Sequence, residues 1–292
     1  MSMQMPSLLP VASDFVFKLI FGDQRNTDIL TEFLKAVLDI PDSEYDRITI
    51  VDPHIKKESQ DDKYGILDVK VHTKSGNVIN VEIQVWPIPE MKHRCVYFIS
   101  KMVTEQMASG KNHSDIKRSV SIIITSYTLV AENNHYHNQF RYRSDKDGVE
   151  FTDLTEINTL ELSKLPREGD SSELWYWMRF IKSEDEEELD MLAKRSPQMS
   201  KAVGVLKELS ADERTRMLYE QREIARRDMV SRMEGAKREG RAEGITEGIV
   251  IGTADTTAAI TRNLLILDLP FEQITKATGL SYEEIEKLRN AN

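Results

Sequence analysis

The sequence predicts an α/β (α+β) fold in which helices flank a mixed central sheet and an all-helical C-terminal region follows. Residues 65–85 contain two runs of alternating apolar and polar side chains around Lys74-Ser75-Gly76, which is typical of a β-hairpin. Residues 119–130 form an apolar, β-branched run that is typical of a central buried strand. Beyond residue 170 the pattern is helical throughout, so the sheet should end before that point.

Local signals place the remaining core elements around these strands. A helix is expected to begin after Ser13, a good capping residue, and to end at Gly22. The expected core elements are, in order, helices 14–21 and 26–39, strand 46–52, hairpin 65–85, helix 90–109, and strands 119–130, 138–143 and 157–162.

The turn of the hairpin predicts its register. If Gly76 takes the left-handed conformation in a three-residue loop, Thr73 pairs with Asn77. Asp68 then lies opposite Glu82, and each strand has one polar and one apolar face. A two-residue loop would mix the two faces, so the pattern and the turn chemistry favour the same register.

The polar face of this hairpin is the candidate site. Two carboxylates at cross-strand distance repel each other unless water or a cation separates them. Mg²⁺ takes one or two carboxylates together with waters and phosphate oxygens. Asp68 and Glu82 could provide that pair, and Gln84 could hold a coordinated water. The alternative interpretation is a half-buried hairpin with a solvated polar face.

Composition restricts the classes of function. The net charge of -10 opposes binding to a polyanion, yet residues 91–143 carry eight Lys and Arg against three Asp and Glu. This distribution of charge fits two interpretations, a local basic surface and an ordinary scatter of charged residues. Cys95 is the only cysteine, which excludes an internal disulfide and fits a reducing cytoplasm. No stretch approaches the roughly 18 apolar residues of a membrane helix, and no signal peptide is recognised, so we expect a cytoplasmic protein without a membrane partner.

Several ordered motifs resemble a known family. Asp68, followed fourteen residues later by Glu82-Ile83-Gln84 on a second strand, resembles the bipartite core of the PD-(D/E)xK nuclease superfamily. More closely, the chain is similar to the recombination-promoting nuclease / putative transposase family of bacteria. The similarity covers nearly the whole chain, through residues 13–22, 66–69, 81–84, 94–97, 160–164 and a C-terminal tail with recurrent glycines.

The resemblance implies metal-dependent cleavage of DNA phosphodiesters that promotes recombination. Asp68 and Glu82 would bind Mg²⁺, with Mn²⁺ or Ca²⁺ as alternatives, and Gln84 would position the attacking water. Gln84 replaces the usual lysine of the superfamily, and an amide offers a dipole where lysine offers a charge. Asp14 begins the first helix, where the superfamily often brings a third acid. The alternative is that Asp14 is an ordinary acidic residue in a first turn, where the helix dipole favours it.

Three residues of the predicted helix 90–109 are candidates for binding DNA. Arg94 and Tyr97 are three residues apart and share a helix face, and with Lys101 they could hold a phosphate. The alternative is that these side chains belong to the surface or to local packing.

The chain is predicted to have four parts. Residues 1–170 form the PD-(D/E)xK-like nuclease core, 171–211 a helical extension packed on the core, 212–254 a long charged helix, and 255–292 a small helix-turn-helix-like module. The charged helix carries glycines at a spacing of four, each costing about 1 kcal/mol relative to alanine. Close packing of a second helix would offset this cost, so we expect a homodimer through the C-terminal helices; a weakly ordered linker is the alternative. The glycines are Gly240, Gly244, Gly248 and Gly252.

Two functions therefore compete. The first is a Mg²⁺-dependent DNA endonuclease. The second is a catalytically weak relative that binds nucleic acid or a protein through its helical tail. The Asp68/Glu82 pair favours the first, and Gln84 together with the acidic composition favours the second.

Overall fold

The computed structural model describes residues 7–51, 69–107 and 112–290. The first elements are α1 (Asp14–Phe21), α2 (Thr27–Val37), β1 (Thr49–Val51), β2 (Val69–His72), β3 (Val78–Gln84), α3 (Met91–Thr104), β4 (Ser119–Thr125), β5 (His137–Arg143) and β6 (Glu150–Glu161). Helices follow: α4 (Glu173–Lys182), α5 (Glu186–Leu192), α6 (Pro197–Ala211), α7 (Glu213–Ile266), α8 (Phe271–Thr278) and α9 (Tyr282–Asn290). The predicted fold class is confirmed.

The described strands form one mixed six-stranded sheet in the order β1-β2-β3-β4-β6-β5. Strands β3, β4 and β6 run parallel to one another, and the other pairs are antiparallel. The parallel β3–β4 pair needs a crossover, which contains α3. The carboxyl ends of three neighbouring strands therefore meet at one edge of the sheet.

The predicted hairpin register is confirmed for the described residues. Val69 lies opposite Val81, and Thr73 N donates to Asn77 O at 3.0 Å. Gly76 has φ 91°, the left-handed value that the three-residue loop requires. Asp68 lies outside the described residues, so its position opposite Glu82 stays a prediction.

Helices cover both faces of the sheet. The apolar face of β3 packs in a large core with α1, α2, α4 and α6, which contribute Phe17, Phe33, Phe180 and Leu206 among others. On the other face, Ile99 and Met102 of α3 pack on Val78, and Met91 and Cys95 pack on Ile123.

The alternative interpretation, a solvated polar face, is therefore wrong for Asn80 and Glu82 of β3. Asn80 is fully buried and Glu82 is 4% exposed. The physical reason is that the apolar side of α3 closes over this face, so polar residues that alternate along β3 lie beneath a helix.

The C-terminal region differs from the expected division at one point. Helix α7 runs through residues 254 and 255 without a break, although we expected a boundary there. Contacts group residues 1–219 and 220–292 as two units. Within the second unit, Ile274 and Ile285 are buried, and the expected capping box of Ser281 and Glu284 forms, with Ser281 N donating to Glu284 Oε2 at 2.8 Å. Among the described residues, no helix is both long and apolar enough to cross a membrane.

Candidate active site

Glu82 lies near the carboxyl end of β3, at the edge where the parallel strands end. Its register partner on β4 is Ile123, and Gln84 is in register with Thr125. Ser126 N donates to Gln84 O at 3.2 Å, which ties the exit of β4 to the end of β3. The strand pairing thus places Glu82 and Gln84 beside the loop that follows β4.

The carboxylate of Glu82 is held by Arg94 of α3. Arg94 Nε and Nη2 both donate to Glu82 Oε1, at 3.2 Å and 2.9 Å. Burial raises the pKa of Glu82, and the positive charge and hydrogen bonds of Arg94 act in the opposite direction. The pair is asymmetric in exposure, since the side chain of Glu82 is 5% exposed and that of Arg94 is 34% exposed.

The three predicted DNA-binding residues do not all point in the same direction. Arg94 faces Glu82, and its guanidinium lies 4.8 Å from the centre of the Phe98 ring. Tyr97 is half exposed, and Lys101 Nζ lies 5.9 Å from the centre of its ring. Tyr97 and Lys101 therefore form a cationic, aromatic surface on α3. The side chain of Arg94, on the same helix, is directed at the buried carboxylate of Glu82.

The structure describes the remaining predicted site residues as follows. The Gln84 side chain is half-buried, and its Nε2 donates to Trp86 O at 3.2 Å. Asp14 is exposed in the first turn of α1, next to the capping residue Ser13. Asp68 is outside the described residues. Within the described ranges, no group of three or more His, Cys, Asp or Glu is arranged to hold a metal ion.

Sequence reasoning missed three polar groups around Glu82. Cys95 is buried, and its burial, followed by the negative charge of Glu82, raises the pKa of its thiol to about 12. Burial also raises the pKa of Tyr127, and the nearby Cys95 and Glu82 add to this rise. Tyr127 lies two residues beyond the end of parallel strand β4, and this position was the sequence signal that could have identified it.

The third missed group is the amide of Asn80, two residues before Glu82 on the same face. Neither polar atom of this fully buried side chain has a hydrogen-bond partner in the part of the chain that the structure describes. An unpaired buried amide is costly, and the alternating pattern of β3 gave no indication that α3 would cover it.

The donor chemistry of Glu82 and Gln84 fits a hard divalent cation. A carboxylate and an amide supply the oxygen ligands that such ions prefer. Glu82 Oε1 already accepts a positively charged group, the guanidinium of Arg94.

The mixed sheet with flanking helices and a long C-terminal helical region agrees with the family that the chain matches. Residues 11–236 match the family described as PD-(D/E)XK nuclease family transposase, and the chain belongs to this family. The match spans the whole sheet, helices α1 to α6 and the first part of α7. No curated protein and no solved structure matches the chain.

Proposed function

We propose that this member of the nuclease family is a metal-dependent DNA endonuclease that promotes recombination. The family supports a nuclease or transposase-like role on nucleic acid. The observation that carries the finer proposal is Glu82, a buried carboxylate near the carboxyl end of an inner strand that is paired with a cationic side chain. The hairpin register that is observed up to Val69 and Val81 supports placing Asp68 opposite Glu82.

In this proposal Asp68 and Glu82 hold Mg²⁺, and Mn²⁺ or Ca²⁺ could replace it. The bound ion would polarise the scissile phosphate and lower the pKa of a coordinated water. Gln84 would orient that water through its amide, which contributes a dipole and no charge. Tyr97 and Lys101 bind the DNA backbone from the exposed side of α3, and Asp14 is a candidate third acid.

Plasmid cleavage with and without Mg²⁺, Mn²⁺ or Ca²⁺ tests this function. We expect nicking that depends on the added ion and is lost in Asp68→Ala and in Glu82→Ala. Metal-independent nicking, or nicking that survives both substitutions in folded protein, would contradict it.

A catalytically weak relative is the second candidate. Two observations favour it: Arg94 already neutralises Glu82 within the chain, and Gln84 stands where the superfamily usually has lysine. This candidate predicts DNA or protein binding that needs residues of the helical tail and no cleavage with any of the three ions.

We also propose that the protein is a homodimer through its C-terminal helices and acts in a reducing cytoplasm. At each glycine of α7, an added Cβ atom would meet open space among the described residues. The same helix exposes apolar side chains, including Met229, Met233, Ile245 and Ile249. A second copy of α7 would cover both features, and two active sites are what a double-strand break requires.

A further inference from the structure

Arg94 covers Glu82 from the more exposed side of their contact. Both donating nitrogens of the guanidinium converge on one oxygen, Glu82 Oε1, at 3.2 Å and 2.9 Å. Because Glu82 is buried and Arg94 is one-third exposed, the ion pair lies at the boundary between core and solvent. A buried carboxylate without a partner is strongly unfavourable, so Arg94 compensates the charge in the absence of another cation.

A divalent cation and the guanidinium would compete for this oxygen. Both would be positive, and their separation would be within a few ångströms, where like charges repel strongly. Binding of a cation through Glu82 Oε1 therefore requires the guanidinium to leave that oxygen.

We propose that Arg94 and the divalent cation occupy Glu82 Oε1 alternately, and that the displaced guanidinium then binds the scissile phosphate. The inference rests on the proposed function and adds an order of events to it. Contact with the Phe98 ring at 4.8 Å keeps the displaced group close to Glu82. A guanidinium is suited to the second role, because its planar fork binds two phosphate oxygens at once.

Alternate occupancy makes Arg94 act on metal and DNA with opposite signs. As a competitor for Glu82, Arg94 weakens the affinity for the metal. As a phosphate ligand, it strengthens the affinity for DNA once the metal is bound. A residue that only supported the carboxylate would strengthen metal binding, because its removal would leave a buried acid that prefers its neutral form.

Titration calorimetry of the full chain with Mn²⁺, in the absence of DNA and at pH 8, tests the exchange. We expect Arg94→Met to tighten Mn²⁺ binding about tenfold or more, as loss of a charge-assisted contact would allow. Arg94→Lys keeps the charge and should stay near the wild-type affinity. Lys92→Met removes an exposed positive charge from the same helix and should leave Mn²⁺ affinity within about twofold.

The second arm measures DNA binding by fluorescence anisotropy in Ca²⁺, where Arg94→Met should bind at least about tenfold more weakly than wild type. Glu82→Gln distinguishes failure of the exchange from failure of the proposed metal site. Mn²⁺ binding that depends on Glu82 but is unchanged or weaker in folded Arg94→Met overturns the exchange alone. Absence of Glu82-dependent Mn²⁺ binding overturns both the exchange and the proposed metal site.

Discussion

Replacing Glu82 with glutamine removes a charge from the candidate site and keeps the shape of the side chain. If Glu82 is a metal ligand, this change weakens stabilisation of the transition state by several kcal/mol. Since each 1.36 kcal/mol corresponds to a factor of ten in rate, we expect cleavage to fall by about a thousandfold or more.

The structure predicts a much smaller change in folding stability. Loss of the charge-assisted contact with Arg94 costs about 1.5–3 kcal/mol. Relief of the buried charge acts in the opposite direction and is of similar size, because Glu82 is 4% exposed. Arg94 retains contact with solvent, so we expect the free energy of unfolding to change by no more than about 1 kcal/mol near neutral pH.

The pH dependence of stability should also change. Burial raises the pKa of Glu82 from its ordinary value of 4.5, so the folded state binds this proton more tightly than the unfolded state. The contribution of Glu82 to stability therefore falls as pH rises from that value through the raised pKa. Glutamine does not titrate, so Glu82→Gln should gain stability relative to wild type over the same interval.

Plasmid nicking with Mg²⁺ and urea unfolding at several pH values measure these effects. Glu156→Gln is the matched control, because Glu156 is also a buried carboxylate held by arginines, Arg118 and Arg141, but on the opposite face of the sheet. We expect this control to lose about 3 kcal/mol of stability and to keep its cleavage while folded. Undiminished nicking by Glu82→Gln would refute the assignment of Glu82.

Three further predictions concern other parts of the chain. Gln84→Lys should keep metal-dependent cleavage and raise its rate, because it restores a positive charge beside the attacking water; a folded but inactive variant would mean that Gln84 ligates the metal directly. Asn80→Leu should raise the free energy of unfolding by about 1–3 kcal/mol in urea titrations, because the unpaired buried amide is removed; a loss of stability would show that the amide has a bound partner. Replacing Gly240, Gly244 and Gly248 with leucine should convert a dimer to a monomer in light scattering, and a wild-type monomer or an unchanged dimer would refute packing through α7.

Local chemistry determined the hairpin. Alternation along both strands requires one buried face, and the left-handed conformation of Gly76 selects a three-residue loop, so the register followed from neighbouring residues alone. The same holds for helix ends, where the hydroxyl of Ser13 accepts from Val16 N at 3.2 Å. Such features depend on residues a few positions apart, and their sequence signals are correspondingly direct.

The tertiary structure decided what surrounds Glu82. An alternating strand indicates that one face is polar, but it does not identify the element that packs on that face. Helix α3 returns over β3 because Ile99 and Met102 bury their apolar surface against Val78. That crossover buries Asn80 and brings Arg94 to the carboxylate, although periodicity alone had grouped Arg94 with Tyr97, which is exposed, and Lys101, which is half-buried.

The order of the strands in the sheet was also not predicted from the sequence. The placement of β4 beside β3, which brings Tyr127 near Glu82, depends on contacts between segments about forty residues apart. Helical periodicity predicted the helices of the tail but not the continuity of α7 across residues 254 and 255. The sequence by itself thus determined the local elements and the candidate residues, whereas burial, charge pairing and strand neighbours required the folded chain, because each depends on the packing of distant segments.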